Sequence, residues 1–265
     1  MRRILIISAL LLAVVFTATA DRRRLMMARN VAVVTIPTPI YRLELNEGSG
    51  LSMADSSGNA NTFTNLGATW ITGKSGSGGA LQFDGVNDFA KSQNTVTVAA
   101  NTTNWTFCTW VWWDAFANDD DLLVEISANS TSSGSDGAFL IDPNSSSPSG
   151  VAAFLVQDSS AGSLYRTESI TRWPAAEWVH IAAVFESAAN SLQGEWTIYT
   201  NGVIASQTVN ATTKDQASQL RTAVTHNLMS RNGASFFAAG RLDDVGLWGS
   251  ALDSATINAI KNEAR

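Results

Sequence analysis

The sequence is poor in the residues that build most enzyme centres. Among 265 residues there is one cysteine, Cys108, and two histidines, His180 and His226. A lone cysteine excludes an intramolecular disulfide, and with only two histidines it also excludes the usual Cys/His zinc site. Charge is scarce as well, at 15% of residues, against the usual ~25%. The net charge of −6 argues against a protein that binds nucleic acid by neutralising phosphates. What replaces charge is glycine, serine, threonine and asparagine, together with nine tryptophans. A polar, weakly charged, tryptophan-rich chain of this length points to an exported or surface-displayed β-protein with a core large enough to need no metal for folding.

Only one long apolar run is present, Ile4 to Phe16, broken by Ser8. With Arg2 and Arg3 before it and Ala18-Thr19-Ala20 after it, residues 1–20 have the layout of an export signal. The run is short for a membrane span of ~20 residues. Membrane contact is therefore expected only through residues 1–20, if they stay uncleaved. Arg22, Arg23, Arg24 and Arg29 follow the expected cut, and positive charge there opposes translocation. Residues 21–38 read as a basic, then proline-containing linker or arm, ending in Pro37-Thr38-Pro39.

From residue 39 to 265 the pattern is that of one domain. Short alternating runs are separated by Gly, Asn, Asp and Ser clusters, as in Trp105 to Trp113, Trp178 to Phe185, Glu195 to Thr200 and Leu242 to Trp248. Asn201-Gly202 is a strong hairpin signal, since a type I′ turn needs φ > 0 at both central positions. Strands fed by turns must pair antiparallel. The fold class predicted is all-β, a two-sheet antiparallel sandwich or jelly roll. One short helix closes it over Asp253 to Glu263, capped by Asp253 or Ser254. Segments 127–150 and 157–167 read as long loops or weak edge strands. Trp178 and Trp196 are expected to anchor the core from facing strands.

Six fragments occur in order between residues 40 and 262. They are Leu43-x-Leu45-Asn46-Glu47-Gly48 with Asp55-Ser56-Ser57-Gly58-Asn59, then Gly79-Ala80-Leu81-Gln82-Phe83-Asp84-Gly85, then Trp105 to Val111. Glu177 to Ala182, Tyr199 to Val203, and Gly240 to Trp248 complete the set. Together they resemble the LamG-like, concanavalin A-like lectin/glucanase jelly-roll domains. The resemblance implies that the first and last strands lie close together. It also implies a structural calcium ion, with Asp243, Asp84 and Asp55 as candidate ligands beside backbone carbonyls, a donor set of the hard oxygen kind calcium takes.

The hydrolases of this superfamily carry Glu-x-Asp-x-x-Glu on one strand. No glutamate here has an aspartate two residues later, so that nucleophile and acid/base pair is missing. A Gly-x-Ser-x-Gly elbow is also absent. Asp119-Asp120-Asp121 reads as a solvated run, and His180 as a structural histidine inside a strand. No catalytic residue is assigned.

The strand at Trp105 to Trp113 splits by parity: Thr106, Cys108, Trp110 and Trp112 share one face, and Trp105, Phe107, Thr109, Val111 and Trp113 the other. A sandwich buries one face of each sheet, so the second aromatic set needs a cover: loops 114–150, a partner, or a sugar ring. Trp110 and Trp112 are the candidate ligand-binding residues. The expected function is a non-catalytic extracellular binding module for a glycan or glycoprotein. The alternative is a structural or decoration protein of a virion or other extracellular assembly, self-assembling through residues 1–38. A divergent glycoside hydrolase ranks below both. Five Asn-x-Ser/Thr sequons, at Asn101, Asn104, Asn129, Asn144 and Asn210, suit secretion but arise by chance in such a composition.

Overall fold

The computed structural model describes residues 34–76, 78–97, 104–114, 121–127, 138–145, 150–156, 164–169, 171–187, 194–211 and 223–263. The signal-like segment 1–20, its basic flank, Asp119, Asp120, Asn101 and Asn129 lie outside them. Residues Ile36–Arg265 form one compact unit.

Two antiparallel sheets make up this unit, as the turn chemistry predicts. The first has the order Val203–Ile204, Gly194–Thr200, Trp178–Ser187, Trp105–Trp113, Ala239–Trp248, Gly79–Asp84, Thr69–Thr72, and Tyr41–Leu43 also pairs with Ala239–Trp248. The second runs Gln207–Ala211, Leu164–Ser169, Gly150–Val156, Ala138–Ser145, Val124–Ser127, Ala223–Leu228, Phe89–Ser92, Phe63–Leu66, Ser52–Met53, with Val96–Thr97 on Ala223–Leu228. The first and last strands pair directly, Tyr41 opposite Leu247 and Leu43 opposite Val245. Two strands, Ala138–Ser145 and Leu164–Ser169, fall in the segments expected to be loops or weak edges, and a third, Gly150–Val156, lies between them. Ala138–Ser145 and Gly150–Val156 pair on both sides inside the second sheet, and Leu164–Ser169 also has two partners. The serine- and asparagine-rich stretches beside them hid them.

The core lies between the sheets. Trp105, Phe107, Val111 and Trp113 from one strand meet Phe63, Val124, Ile126 and Leu228 of the opposite sheet in one buried cluster. Trp196 joins that cluster at 2% exposure. Trp178 does not: it belongs to the opposite parity from Val179, Ile181, Ala183 and Phe185, and stands half-buried on the outer face. The expectation of two core anchors therefore holds for Trp196 alone.

The last strand carries a bulge, its register shifting between Asp243 and Gly246. Asp244 takes a left-handed φ of 51° there. The extra residue lets Asp243 face outward while Val245 and Leu247 return to the core. At Asn201-Gly202 both φ values are positive, 52° and 81°, and Thr200 pairs with Val203 across the turn. The hairpin is the type the dipeptide predicts.

A single helix, Ser254–Asn262, occurs among the described residues. Asp253 caps it, its Oδ1 accepting from the Thr256 amide at 2.8 Å. The helix lays Ile257 and Ile260, with Leu252, on Cys108, Ala182, Val184, Tyr199 and Trp248 of the first sheet's outer face. Each such aliphatic side chain contributes roughly 1.5–3 kcal/mol when buried. Thr106 ties the approach down: its hydroxyl donates to Ser250 O at 2.7 Å and accepts from Leu252 N at 3.0 Å. The small outward residues Thr106 and Cys108 thus form the seat of the helix and leave no shallow open face.

Candidate functional site

The helix covers one half of the first sheet's outer face. The other half carries the aromatic surplus. Strand register sets Trp178, Trp112, Arg241, Gln82 and Thr69 side by side on five adjacent strands. All five are partly or fully exposed. One step toward the helix, the next row is His180, Trp110 and Asp243. One step the other way lie Asp114 and the Ala239–Asp84 pair.

Trp110 and Trp112 do share the outer face, as parity predicts, and their rings are already engaged. Lys74 Nζ sits 4.4 Å from the Trp110 ring centre, and His180 meets that ring edge-on at 5.3 Å. The Arg241 guanidinium lies 4.6 Å from the Trp112 ring centre, and Trp178 meets Trp112 at 6.0 Å in a T-shaped pair. A cation over an indole face is worth ~0.5–2 kcal/mol, more when desolvated. Both tryptophans are therefore held rigidly. His180 is 1% exposed and Asp243 8%, so the Trp110 row is largely closed. The Trp112 row is the open one.

The electrostatics follow from burial. Asp243 accepts the Lys74 amide at 3.0 Å. Burial pushes its carboxyl up to about 6, against the pull of the Lys74 amide and ammonium. Burial drives His180 down to about 3, with Lys261, Lys74 and Arg42 acting in the same direction and Asp244 opposing them. His180 is thus a neutral structural histidine inside its strand, and among the described residues its Nδ1 has no hydrogen-bond partner. Arg241 pairs with Asp114 at 3.6 Å. Behind the helix, Arg42 donates to both oxygens of Asp244 at 3.0 and 2.9 Å and reaches Glu263 at 2.5 Å.

The three candidate calcium ligands are not gathered. Asp55 spends its oxygens on its own turn, accepting from the amides of Arg42, Ser57 and Asn61 and from the Ser57 hydroxyl. Asp84 accepts the Val86 and Asn87 amides, which hold its carboxyl below the usual range. Asp243 lies four residues along its strand from Ala239, the partner of Asp84, or roughly 13 Å at strand rise. Among the described residues no three His, Cys, Asp or Glu side chains form a metal-sized group. The aspartates do not fit calcium as a shared carboxylate set.

Residues the sequence reading missed are Trp178, Arg241, Gln82, Thr69 and Lys74. Parity within Trp178 to Phe185 could have placed Trp178 outside, because the large apolar side chains Val179, Ile181 and Phe185 hold the other face. Lys74 left no such signal: it comes from a glycine-rich hairpin whose fold over Asp243 is a long-range contact.

A family model for the concanavalin A-like lectin/glucanases superfamily matches residues 83–258. The chain belongs to this superfamily. No curated protein matches the sequence. Among solved structures, this concanavalin A-like chain is similar to domain 4 of AbnA, an extracellular arabinanase from Geobacillus stearothermophilus in complex with arabinotriose. The TM-score is 0.62 at 13% identity, over 86% of this chain and 100% of that one. It is also similar to the binding domain of Paraclostridial Mosquitocidal Protein 1, with TM-score 0.57 and 12% identity over 85% of this chain and 52% of that one. Trypanosoma rangeli sialidase gives 0.54 and 14% over 95% of this chain and 38% of the enzyme. The chain thus spans the whole of the first domain, about half of the second and well under half of the sialidase. These likenesses establish the fold, and their hosts include both binding domains and hydrolases. No helix among the described residues is long and apolar enough to cross a membrane.

Proposed function

We propose that the protein is a non-catalytic carbohydrate-binding module, exported or surface-displayed, whose ligand lies on the helix-free half of the first sheet. The observation that carries this reading is the open row in which Trp178 and Trp112 stand beside Arg241, Gln82 and Thr69. Sugar rings offer apolar C–H faces and a rim of hydroxyls. Partly exposed indoles next to a guanidinium, an amide and a hydroxyl match both. Rigid aromatic anchors ringed by polar groups are also the usual source of binding energy. The likeness to a domain solved with arabinotriose is in keeping with it.

The non-catalytic part rests on carboxylate placement. Glycoside hydrolysis needs two carboxyl groups flanking one bond, one of them a proton donor. Asp243 is the raised carboxyl on this face, and it lies under the Lys74 hairpin. Its neighbour Asp244 is taken up by Arg42. Asp84 is held ionised by turn amides, which makes it a poor acid.

The test is a glycan array followed by titration calorimetry with the full chain. Binding to at least one polysaccharide is expected, weakened by Trp112→Ala or Trp178→Ala with near-native circular dichroism. Binding that both variants leave untouched would move the site elsewhere. Release of reducing sugar from the bound polysaccharide would overturn the non-catalytic assignment.

A further inference from the structure

We infer that the ligand is a neutral, extended glycan that runs across the strands along the Trp178–Trp112–Arg241–Gln82–Thr69 row and occupies several sugar units. The inference rests on the reading of this face as carbohydrate-binding and adds the charge class and the direction of the chain.

Charge compensation argues for a neutral ligand. The row contains one cation, Arg241, and it is paired with Asp114 at 3.6 Å. Its flanks hold one more cation, Lys74, which lies over Trp110 and gives its amide to the Asp243 carboxylate. Asp84, on the rim next to Ala239, adds a further negative charge. Among the described residues two cations thus face three carboxyl groups, on a chain whose net charge is −6. A uronate or sialate would have to displace Asp114 from Arg241 or approach uncompensated carboxylates. A neutral sugar meets no such cost. Hydroxyls can donate to Asp114 and Asp84 and accept from Arg241 and Gln82, so the existing ion pair becomes a hydrogen-bonding rim.

Register sets the direction. The five side chains come one from each of five neighbouring strands. Strands lie ~4.8 Å apart, so the row is roughly 19 Å from end to end. A sugar unit in a polymer is about as long as one strand spacing, so a chain laid along the row meets one side chain per unit. Along the strands the platform is only one row deep. On one side the Lys74 hairpin and the row of buried His180 and Asp243 with half-buried Trp110 lead to the helix. On the other, the sheet ends at Asp84, where the chain turns. A glycan parallel to the strands would leave the platform after about two units. The row is also graded. Its Trp178–Trp112 end supplies apolar contact, and its Gln82–Thr69 end supplies an amide and a hydroxyl.

The experiment is calorimetric titration of the full chain with neutral oligosaccharides from monomer to pentamer, in arabino-, xylo-, cello- and manno- series, beside oligogalacturonates of equal length. Affinity for one neutral series should rise with each unit up to about the tetramer and then level off. Trp112→Ala should lower it at least about tenfold, or ~1.4 kcal/mol. The double variant Gln82→Ala, Thr69→Ala should lower tetramer affinity several-fold and leave dimer affinity unchanged. Stronger binding of oligogalacturonate than of every neutral series would overturn the charge assignment and leave a carbohydrate-binding module. A monomer that binds as tightly as the tetramer, or a double variant that weakens dimer and tetramer alike, would overturn the extended cross-strand path. Absence of binding to every polysaccharide on the array would remove the carbohydrate reading itself, and this inference with it.

Discussion

Replacing His226 with phenylalanine should make the fold resistant to mild acid. His226 is fully buried in the core. Its ring meets Tyr41 edge-on at 5.5 Å, and among the described residues neither of its nitrogens has a hydrogen-bond partner. Burial alone drives it down from 6.5 to about 3. The sign follows from proton counting. The open chain takes up a proton near 6.5, while the fold refuses it until about 3, so the histidine's contribution is intact above 6.5 and lost as pH falls towards 3. At about 1.4 kcal/mol per pH unit, that interval amounts to about 5 kcal/mol, a large share of a typical folding free energy. Urea unfolding from about pH 7 down to about pH 4, for wild type and His226→Phe, reads the effect as a slope. His180 adds a similar slope in both proteins. Asp243, raised to about 6, acts in the opposite direction, since its proton is held by the fold and its contribution is lost as pH rises. Both cancel in the difference. The wild type should lose about 1.4 kcal/mol per pH unit more than the variant over this window. Stability at neutral pH is a poor readout, because removal of two unpaired nitrogens and the larger ring act in opposite directions. Parallel curves for the two proteins would refute the argument.

Asp244→Asn keeps a residue that tolerates the left-handed turn but takes the bidentate partner from Arg42, which is 6% exposed. A loss of about 3 kcal/mol in urea is expected, with much of it recovered in Arg42→Met, Asp244→Asn, since removing both charges leaves none buried unpaired; no recovery would count against the ion triad. Gly202→Ala forces a Cβ into the Asn258 side chain at a φ of 81°, so the hairpin and the helix docked on it should loosen, with a cost of about 1–3 kcal/mol read as a lower Tm. An unchanged Tm would show that the contact is dispensable. Calcium and chelator should give equal Tm values, because Asp55 and Asp84 are occupied by amides. A calcium-induced rise of ~2.7 kcal/mol at one hundred times the dissociation constant, abolished in Asp243→Ala, would restore a site built on Asp243 and backbone carbonyls.

The fold was legible where a local rule has a strong physical cause. Asn201-Gly202 demanded positive φ twice and received it. Asp253 offered a cap just before an apolar helical stripe and became one. Parity put Trp110 and Trp112 outside the core. Strands such as Gly150–Val156 were missed because their neighbours are serine and asparagine, and long-range pairing outweighs local turn chemistry. The site was only half legible. Which residues share a strand face can be counted, but which strands become neighbours cannot. Gln82 and Thr69 joined the tryptophans only because Gly79–Asp84 and Thr69–Thr72 pair beyond the last strand. The cations over the indoles were likewise out of reach, since Lys74 is 36 positions from Trp110 and Arg241 129 from Trp112 in the chain.

The division of the outer face follows from size. A strand of ten residues such as Trp178–Ser187 is roughly 33 Å long. One helix, about 10 Å across, covers only a few residues of it if it lies athwart the strands, so a single helix cannot close the face of the sheet. The side chains respect that limit. Where the helix sits, the sheet offers Thr106, Cys108, Ala182 and Gly246, small enough for Ile257 and Ile260 to approach. A Cβ at Gly246 would strike the Trp248 ring, which itself packs under the helix. Where the helix ends, the residues become Trp110, Trp112 and Trp178, too apolar to leave bare. Lys74 and Arg241 resolve that conflict by laying their charged groups over two of the rings. The surface that results is stiff, amphipathic and open along one row, which is what a weakly charged, hydroxyl-rich ligand requires of a protein with little charge to give.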